Sequence, residues 1–374
     1  MAGREVFGQE EIKEVLDVLN RKVLFRYGFD KERAGVFKTA QFEKAFAGYA
    51  GSRYALGVGT GSAALKVALA ALNLPKGKQV LAPCFTFVAT IESIEEAGLI
   101  PVLCEADESL NMDPADVERK LTPDTVALMP VHMMGAAGRV DELTALVKAK
   151  NLKLVEDACQ ANGATYRGKK LGTFGDLGCY SFDYVKIMTT GEGGMVVTDS
   201  EELYHQADWY HDHGHPHLAG VPRGKETRSR NGFNYRMNEI QGALGLAQLA
   251  KLDAIIAGQK ENKKTIKKEI QNISGLTMRR LPDEAGDTAT FLAFFLPDAA
   301  RTEVFKEKIA EKGVTAGTLN YWHFVANIES CGGAFPRTKA LLDRCVALEM
   351  QTIMPESRLA QIVDAVKSAA KSVL

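Results

Sequence analysis

Ser181-Phe-Asp-Tyr-Val-Lys186-Ile-Met-Thr-Thr-Gly-Glu192, followed by Gly193-Gly194, is the stretch on which the fold and chemistry of this chain turn. The apolar runs on either side, Gly178-Cys-Tyr-Ser181 and Gly194-Met-Val-Val-Thr198, read as strands. Lys186 therefore falls between a strand and the Gly-rich turn Thr189–Gly194. Upstream, the run Leu152-Lys-Leu-Val-Glu156 ends on Asp157. A lysine amine and a strand-end carboxylate are what pyridoxal phosphate chemistry needs. The amine forms a Schiff base with the cofactor aldehyde, and the carboxylate keeps the pyridine nitrogen protonated so that the ring accepts electrons. For an arbitrary lysine a solvated surface position is the simpler reading. The strand–turn setting argues against it here.

Outward from this stretch, short apolar runs alternate with helical patterns from about residue 50 to 200. Gln79–Pro83, Ile100–Cys104 and Val126–Val131 read as further strands. Ala63–Leu74, Ile91–Ala97, Pro114–Lys120 and Val140–Lys150 read as helices between them. Such alternation predicts a largely parallel sheet with helices on both faces. Residues 201–250 read as helical around a basic loop, and Leu252–Ile273 as a long helix leaving the main body. Beyond it, the strand Phe291–Leu296 and the helices Arg301–Lys312 and Leu359–Val373 predict a smaller α/β unit.

Composition narrows the classes of function. The 374 residues are 46% apolar and 25% charged, with a formal net charge of −1. No global field draws this chain to nucleic acid or anionic lipid. Its N-terminus lacks the apolar core of a signal peptide, and no apolar run approaches the roughly 18–20 residues of a membrane span. The six cysteines form no Cys-x-x-Cys pair, so they read as free thiols of a cytoplasmic protein.

Several segments carry candidate site residues. Gly57-Val-Gly-Thr-Gly61-Ser62-Ala63 opens a helix, where free amides and the dipole favour a phosphate, although plain helix caps look similar. No Gly-Lys-Ser/Thr follows, so it is not a Walker loop. Asp157 alone reads equally as an N-cap, but Cys159-Gln160-Ala-Asn-Gly163 behind it resembles a site loop. Phe87, after the Gln79–Pro83 strand, could stack on a flat ring or simply pack in the core. The histidines of Trp209–His217 lack the defined spacing of a metal site, so no metal is expected. Arg223, Lys225, Arg228, Arg230 and Arg236 form a basic stretch suited to gripping a carboxylate or phosphate.

Taken together, Glu156–Ala164, Gly168–Gly178, Ser181-Phe-x-x-x-Lys186, Thr189–Gly194 and Gly232-Phe-Asn-Tyr-Arg-Met-Asn-Glu239 resemble the DegT/DnrJ/StrS-type sugar aminotransferases. The resemblance covers most of residues 35–255. It implies the aspartate aminotransferase fold (fold type I). That fold has a large domain over 1–250, built on a mainly parallel seven-stranded sheet flanked by helices, and a small C-terminal α/β domain over 251–374.

The same resemblance implies roles for residues. Lys186 would form the Schiff base, Asp157 pair with the pyridine nitrogen, Phe87 stack on the ring and Gln160 lie near its oxygen. Gly61, Ser62, Ala63 and Ser181 would hold the phosphate, with Asn234 reaching it from a neighbouring subunit, hence a homodimer with shared sites. Departures from the family pattern are Asn162 for histidine, Tyr184 for proline, and Asp183.

Within the family, Phe25-Arg-Tyr-Gly-Phe-Asp30, Cys179–Lys186, Asp212-His-Gly-His-Pro-His217 and Trp322-His323 resemble the transaminases that make 8-amino-3,8-dideoxy-manno-octulosonate, an amino sugar acid of lipopolysaccharide. The expectation is a cytoplasmic homodimer that moves an amino group from L-glutamate, releasing 2-oxoglutarate, to a sugar carbonyl. Arg228, Arg230, His215, His217 and His323 are the expected sugar contacts. An acceptor linked to a nucleotide, a pyridoxal phosphate-dependent dehydratase and a non-catalytic regulator of the same fold are the alternatives. In the dehydratase branch histidine typically replaces the lysine, so Lys186 counts against it.

Overall fold

Strands that are apolar on both faces belong in the middle of a sheet covered on both sides. The computed structural model, which describes residues 2–317 and 321–374, assembles them in that way. Its main sheet contains β1 (Tyr54–Val58), β2 (Gln79–Pro83), β3 (Ile100–Cys104), β4 (Thr125–Leu128), β5 (Lys153–Asp157), β6 (Leu177–Ser181) and β7 (Gly194–Thr198). The spatial order is β1-β7-β6-β5-β4-β2-β3. Neighbours from β6 to β3 run parallel, and β7 runs antiparallel between β1 and β6. The expected α/β architecture with a mainly parallel seven-stranded sheet is present among the described residues. Strand β1 went unread in the sequence because its Gly57-Val-Gly tail looks like the start of the following turn.

The helix Gly61–Leu72 begins at Thr60, whose Oγ1 accepts the Ala63 amide at 3.0 Å. It ends on Asn73 in the left-handed conformation. Its buried alanines, Val67 and Leu69 lie in the same apolar core as β2, β5 and β6. This packing fixes the helix N-terminus at the carboxyl edge of the sheet, where open parallel sheets bind ligands.

The long helix runs from Glu239 to Ile270 and starts thirteen residues earlier than the sequence reading placed it. Asn238 and Gln241 close a capping box, each side chain accepting the other's amide at 3.0 and 2.9 Å. By length and composition this helix meets the measure of a membrane-crossing segment, which corrects the reading that no run comes close. Its apolar residues are buried inside the protein: Leu249, Leu252, Ile255 and Ile256 pack with Phe42 and Phe46. A Cβ at Gly245 would lie 2.5 Å from the Phe42 ring, so glycine permits that approach. Further along, Ile266 and Ile270 join a separate core with Phe294, Phe305, Val346 and Ile362. This second core is built on the antiparallel strands β8 (Thr277–Met278), β9 (Phe291–Phe295) and β10 (Cys345–Glu349), with the helices Ala299–Glu311 and Glu356–Val373. We propose that the two domains meet along this helix, near residues 250 and 251.

Candidate active site

The carboxyl ends of β2, β4, β5 and β6 open onto a cavity of about 430 Å³. Gly61, Ser62, Phe87, Thr90, Asp157, Gln160, Ser181, Lys186 and His323 are among the residues that line it. Residues read separately along the sequence therefore share one wall-to-wall space.

Asp157 is the last residue of β5 and is buried. A turn follows it instead of a helix, which rules out the cap reading. Its Oδ2 accepts Thr90 Oγ1 at 2.8 Å and its Oδ1 accepts the Cys159 amide at 3.1 Å. Thr90 Oγ1 also pairs with Thr86 Oγ1 at 2.7 Å. The carboxylate is thus held in one orientation inside the cavity. Thr90 was missed by the sequence reading; its only signal was its place one helical turn after Thr86.

The opposite end of the cavity is built by the turn of the quoted stretch. Lys186 donates its amide to the Asp183 carbonyl at 2.9 Å, and Asp183 Oδ1 accepts the Val185 amide at 3.0 Å. An Asp at the first position of a tight turn commonly makes both contacts. The turn presents the half-buried Lys186 side chain to the cavity.

At the helix N-terminus, a Cβ on Gly61 would meet the Ser181 Cβ at 2.6 Å and its Oγ at 2.8 Å. Gly194 is as constrained, since its Cβ would lie 2.2 Å from the Thr60 carbonyl oxygen. First-turn amides have no intrahelical acceptor. Ala63 gives its amide to Thr60, so the expected Ala63 contact is already taken, while Gly61 and Ser62 face the cavity. Gln160 Oε1 accepts the Met134 amide at 2.9 Å, which turns its NH2 group to other partners. Asn162, the departure from histidine, donates to the Ser181 carbonyl at 2.9 Å and stays buried behind the wall.

Phe87 is 46% exposed within this opening, so it is not a core residue. Its loop is pinned by the far segment: Thr86 donates to the His323 carbonyl at 2.9 Å and Val88 to the Trp322 carbonyl at 3.0 Å. The His323 ring lies 5.5 Å from that of Phe87. Burial, with the Lys186 charge beside it, lowers the His323 pKa and keeps the imidazole neutral.

The other expected sugar contacts lie elsewhere in this chain. His217 bonds Asp208 at 2.9 Å and Asp212 at 2.8 Å and stacks on Tyr27 with centroids 4.2 Å apart. Burial opposes its charge, but those hydrogen bonds outweigh it and push the imidazole up to about 9. Asp212 also receives Arg223 and Arg236, the latter at 2.6 Å. His215 pairs with Glu226 at 2.9 Å. Arg230 is engaged by Gln206 and by the Ala70 carbonyl. Arg228 and Asn234 are exposed, Asn234 beside Phe233 at 62% exposure. None of these lines the cavity. The His–Asp–Arg pattern was legible as polar; that its members pair with one another was not.

A helix-end cradle that only glycine allows, an oriented buried carboxylate, an exposed aromatic face and a lysine amine together fit a phosphorylated, aromatic aldehyde cofactor. A family model described as the DegT/DnrJ/EryC1/StrS aminotransferase family matches residues 7–367. The chain belongs to that family. It is a pyridoxal phosphate-dependent sugar aminotransferase.

Among its relatives, the GDP-perosamine synthase of Caulobacter vibrioides is 40% identical over 220 residues, spanning 59% of this chain and 58% of that relative. The GDP-perosamine synthase of Escherichia coli O157:H7 is 34% identical over 282 residues, spanning 75% and 76%. The solved aminotransferase of Psychrobacter cryohalolentis superposes with a TM-score of 0.89 at 29% identity, covering 98% of each chain. The type I fold of the DegT/DnrJ/EryC1/StrS family accounts for the sheet order described above.

Proposed function

We propose that this aminotransferase moves the amino group of L-glutamate to the aldehyde of a free sugar acid, 8-oxo-3,8-dideoxy-manno-octulosonate. The products would be 2-oxoglutarate and the 8-amino sugar acid of lipopolysaccharide. The observation that carries the reading is a convergence. Phe25–Asp30 and Asp212–His217, far apart in sequence, form one network in which Tyr27 stacks on His217 while Arg223 and Arg236 lie over Phe25. The other distinguishing segment, Trp322-His323, meets Phe87 at the cavity.

In this reading the Gly61 and Ser62 amides and Ser181 Oγ would hold the cofactor phosphate. Asp157 would hold the ring nitrogen, Gln160 would donate to the ring oxygen, and Phe87 would stack against the ring. When bound, pyridoxal phosphate supplies an electron sink for the donor's Cα–H bond. Lys186 Nζ removes that proton, holds it, and later returns one to the sugar carbon. His323, neutral and beside Lys186, contacts the acceptor.

We further propose a cytoplasmic homodimer. All six cysteines are free thiols, which suits a reducing compartment. Exposed Asn234, with Arg228 on the same loop, would enter the neighbouring copy's cavity, where Lys186 is the one lysine or arginine among the described lining residues. A second reading, a GDP-linked keto-sugar as acceptor, is favoured by the names of the two relatives. Incubating purified protein with L-glutamate and either the free sugar acid or a GDP-linked keto-sugar, with mass detection of the aminated product, tests the choice. Product from the GDP-linked sugar alone overturns the proposal.

A further inference from the structure

Two carboxylates of the cavity have no part in the scheme above. Asp183 and Glu192 both line it, one on each side of Lys186 along the chain. Asp183 is held by its turn: its amide donates to Ser181 Oγ at 3.3 Å and its Oδ1 accepts the Val185 amide. Among the described residues no donor reaches its Oδ2. Glu192 is fixed through its backbone, its carbonyl accepting Thr190 Oγ1 at 2.7 Å and Gln241 Nε2 at 2.5 Å. Its carboxylate forms no ion pair or hydrogen bond among the described residues. Glu192 is exposed at the cavity rim, and partial desolvation, then the nearby Asp183 charge, raise its pKa. Asp157 is already engaged by Thr90 and Cys159, which leaves Asp183 and Glu192, on either side of Lys186, as the lining carboxylates with oxygens open to a ligand.

We propose that Asp183 and Glu192 determine acceptor specificity by taking hydrogen bonds from sugar hydroxyls next to the reacting carbonyl. Ionised carboxylates accept from hydroxyls strongly and repel anions at the same distance. An acceptor that fits must carry hydroxyls close to its carbonyl and its own anionic group far from it. A sugar acid aminated at the end opposite its carboxylate has that arrangement. The inference deepens the proposed function and rests on it. The same charges oppose the α-carboxylate of L-glutamate, which must sit beside its reacting carbon. Neutralising the pair therefore moves the two substrates in opposite directions.

The test measures the two half-reactions separately in the holoenzyme, using Asp183→Asn and Glu192→Gln. Asparagine keeps the turn, because its side-chain oxygen still accepts the Val185 amide. The expected result is a KM for the sugar acid raised about ten- to a hundred-fold, the loss of a hydrogen bond to a charged group. The KM for L-glutamate is expected to stay level or fall. Inhibition by 3-deoxy-manno-octulosonate, the unreactive alcohol matching the carbonyl substrate, should weaken by a similar factor. A KM that rises for both substrates in both variants assigns the acids a structural role and overturns the proposal. So does an unchanged sugar KM with unchanged inhibition. If the unmodified enzyme reacts with L-glutamate but not with the sugar acid, the proposed function fails instead.

Discussion

Gly61 and Ser181 approach so closely that a methyl group on Gly61 would lie 2.6 Å from the Ser181 Cβ. The contact joins the N-terminus of the helix Gly61–Leu72 to the end of β6, five residues before Lys186. It sets the distance between the amide cradle and the lysine. Gly61→Ala should cost about 1–3 kcal/mol of stability from overpacking. It should also weaken cofactor retention at least about tenfold, because the cradle moves as a unit. Equilibrium dialysis of the cofactor, beside a denaturant titration, checks both. Retention equal to the unmodified protein would place the phosphate elsewhere.

Lys186→Ala should fold normally and retain cofactor without a covalent link, since Lys186 is half-buried on a turn and supports no core packing. Turnover should fall by several orders of magnitude, as expected when the residue carrying proton transfer is removed. Borohydride reduction followed by peptide mapping should label Lys186 in the unmodified chain. A label on another lysine would reassign the site.

Asp157→Asn preserves an oxygen for Thr90 or Cys159 but removes the negative charge. The melting temperature should change little, whereas both half-reactions should slow by orders of magnitude because the ring nitrogen is no longer kept protonated. Normal turnover with bound cofactor would leave Asp157 a structural residue.

His217 gives the fold a pH dependence. Its folded pKa, about 9, lies above that of a free imidazole. Its contribution is complete below about pH 6.5 and is lost as pH rises through 9. After screening, that loss is about 2 kcal/mol. His211 works in the other direction. Burial, with the Arg26 charge, pushes it down to about 3, so its contribution is present above about pH 6.5 and lost on acidification. Stability should therefore peak near neutrality, and His217→Gln should flatten the alkaline limb. Denaturation midpoints between pH 6 and 10 check this; an unchanged alkaline limb in the variant would contradict it.

Much of the fold was legible because the strands of a covered sheet are short apolar runs punctuated by turn residues: Gln79–Pro83, Ile100–Cys104 and Gly194–Thr198 fall where the sequence places them. The start of the long helix was missed although Asn238 and Gln241 have the spacing of a capping box, because Gly242 and Gly245 interrupt its apolar pattern. At the site, Lys186, Asp157, Phe87 and Gln160 were readable from turns and strand ends. The pairing of His217 with Asp208 and Asp212 was not, since it depends on Tyr27 arriving from a distant segment. Glu192 stood inside the quoted stretch unassigned, because it is an exposed carboxylate on a Gly-rich turn and only the fold brings it to the rim of the cavity.

If Asn234 serves the neighbouring copy, mixing Lys186→Ala with a severely impaired Asn234→Asp protein should regenerate intact sites in hybrid dimers. Recovered activity should approach a quarter of the unmodified level, the statistical share of one good site in half of the dimers. No recovery, with subunit exchange demonstrated, would confine each site to one chain.

The most direct measurement follows the visible absorbance of the purified holoprotein through both half-reactions. Adding L-glutamate should remove the band while releasing 2-oxoglutarate in equal amount to sites, and adding the sugar acid should restore it as the amino sugar acid forms. Lys186→Ala should complete neither step. A band that ignores L-glutamate, or that changes without 2-oxoglutarate appearing, would contradict the aminotransfer centred on Lys186.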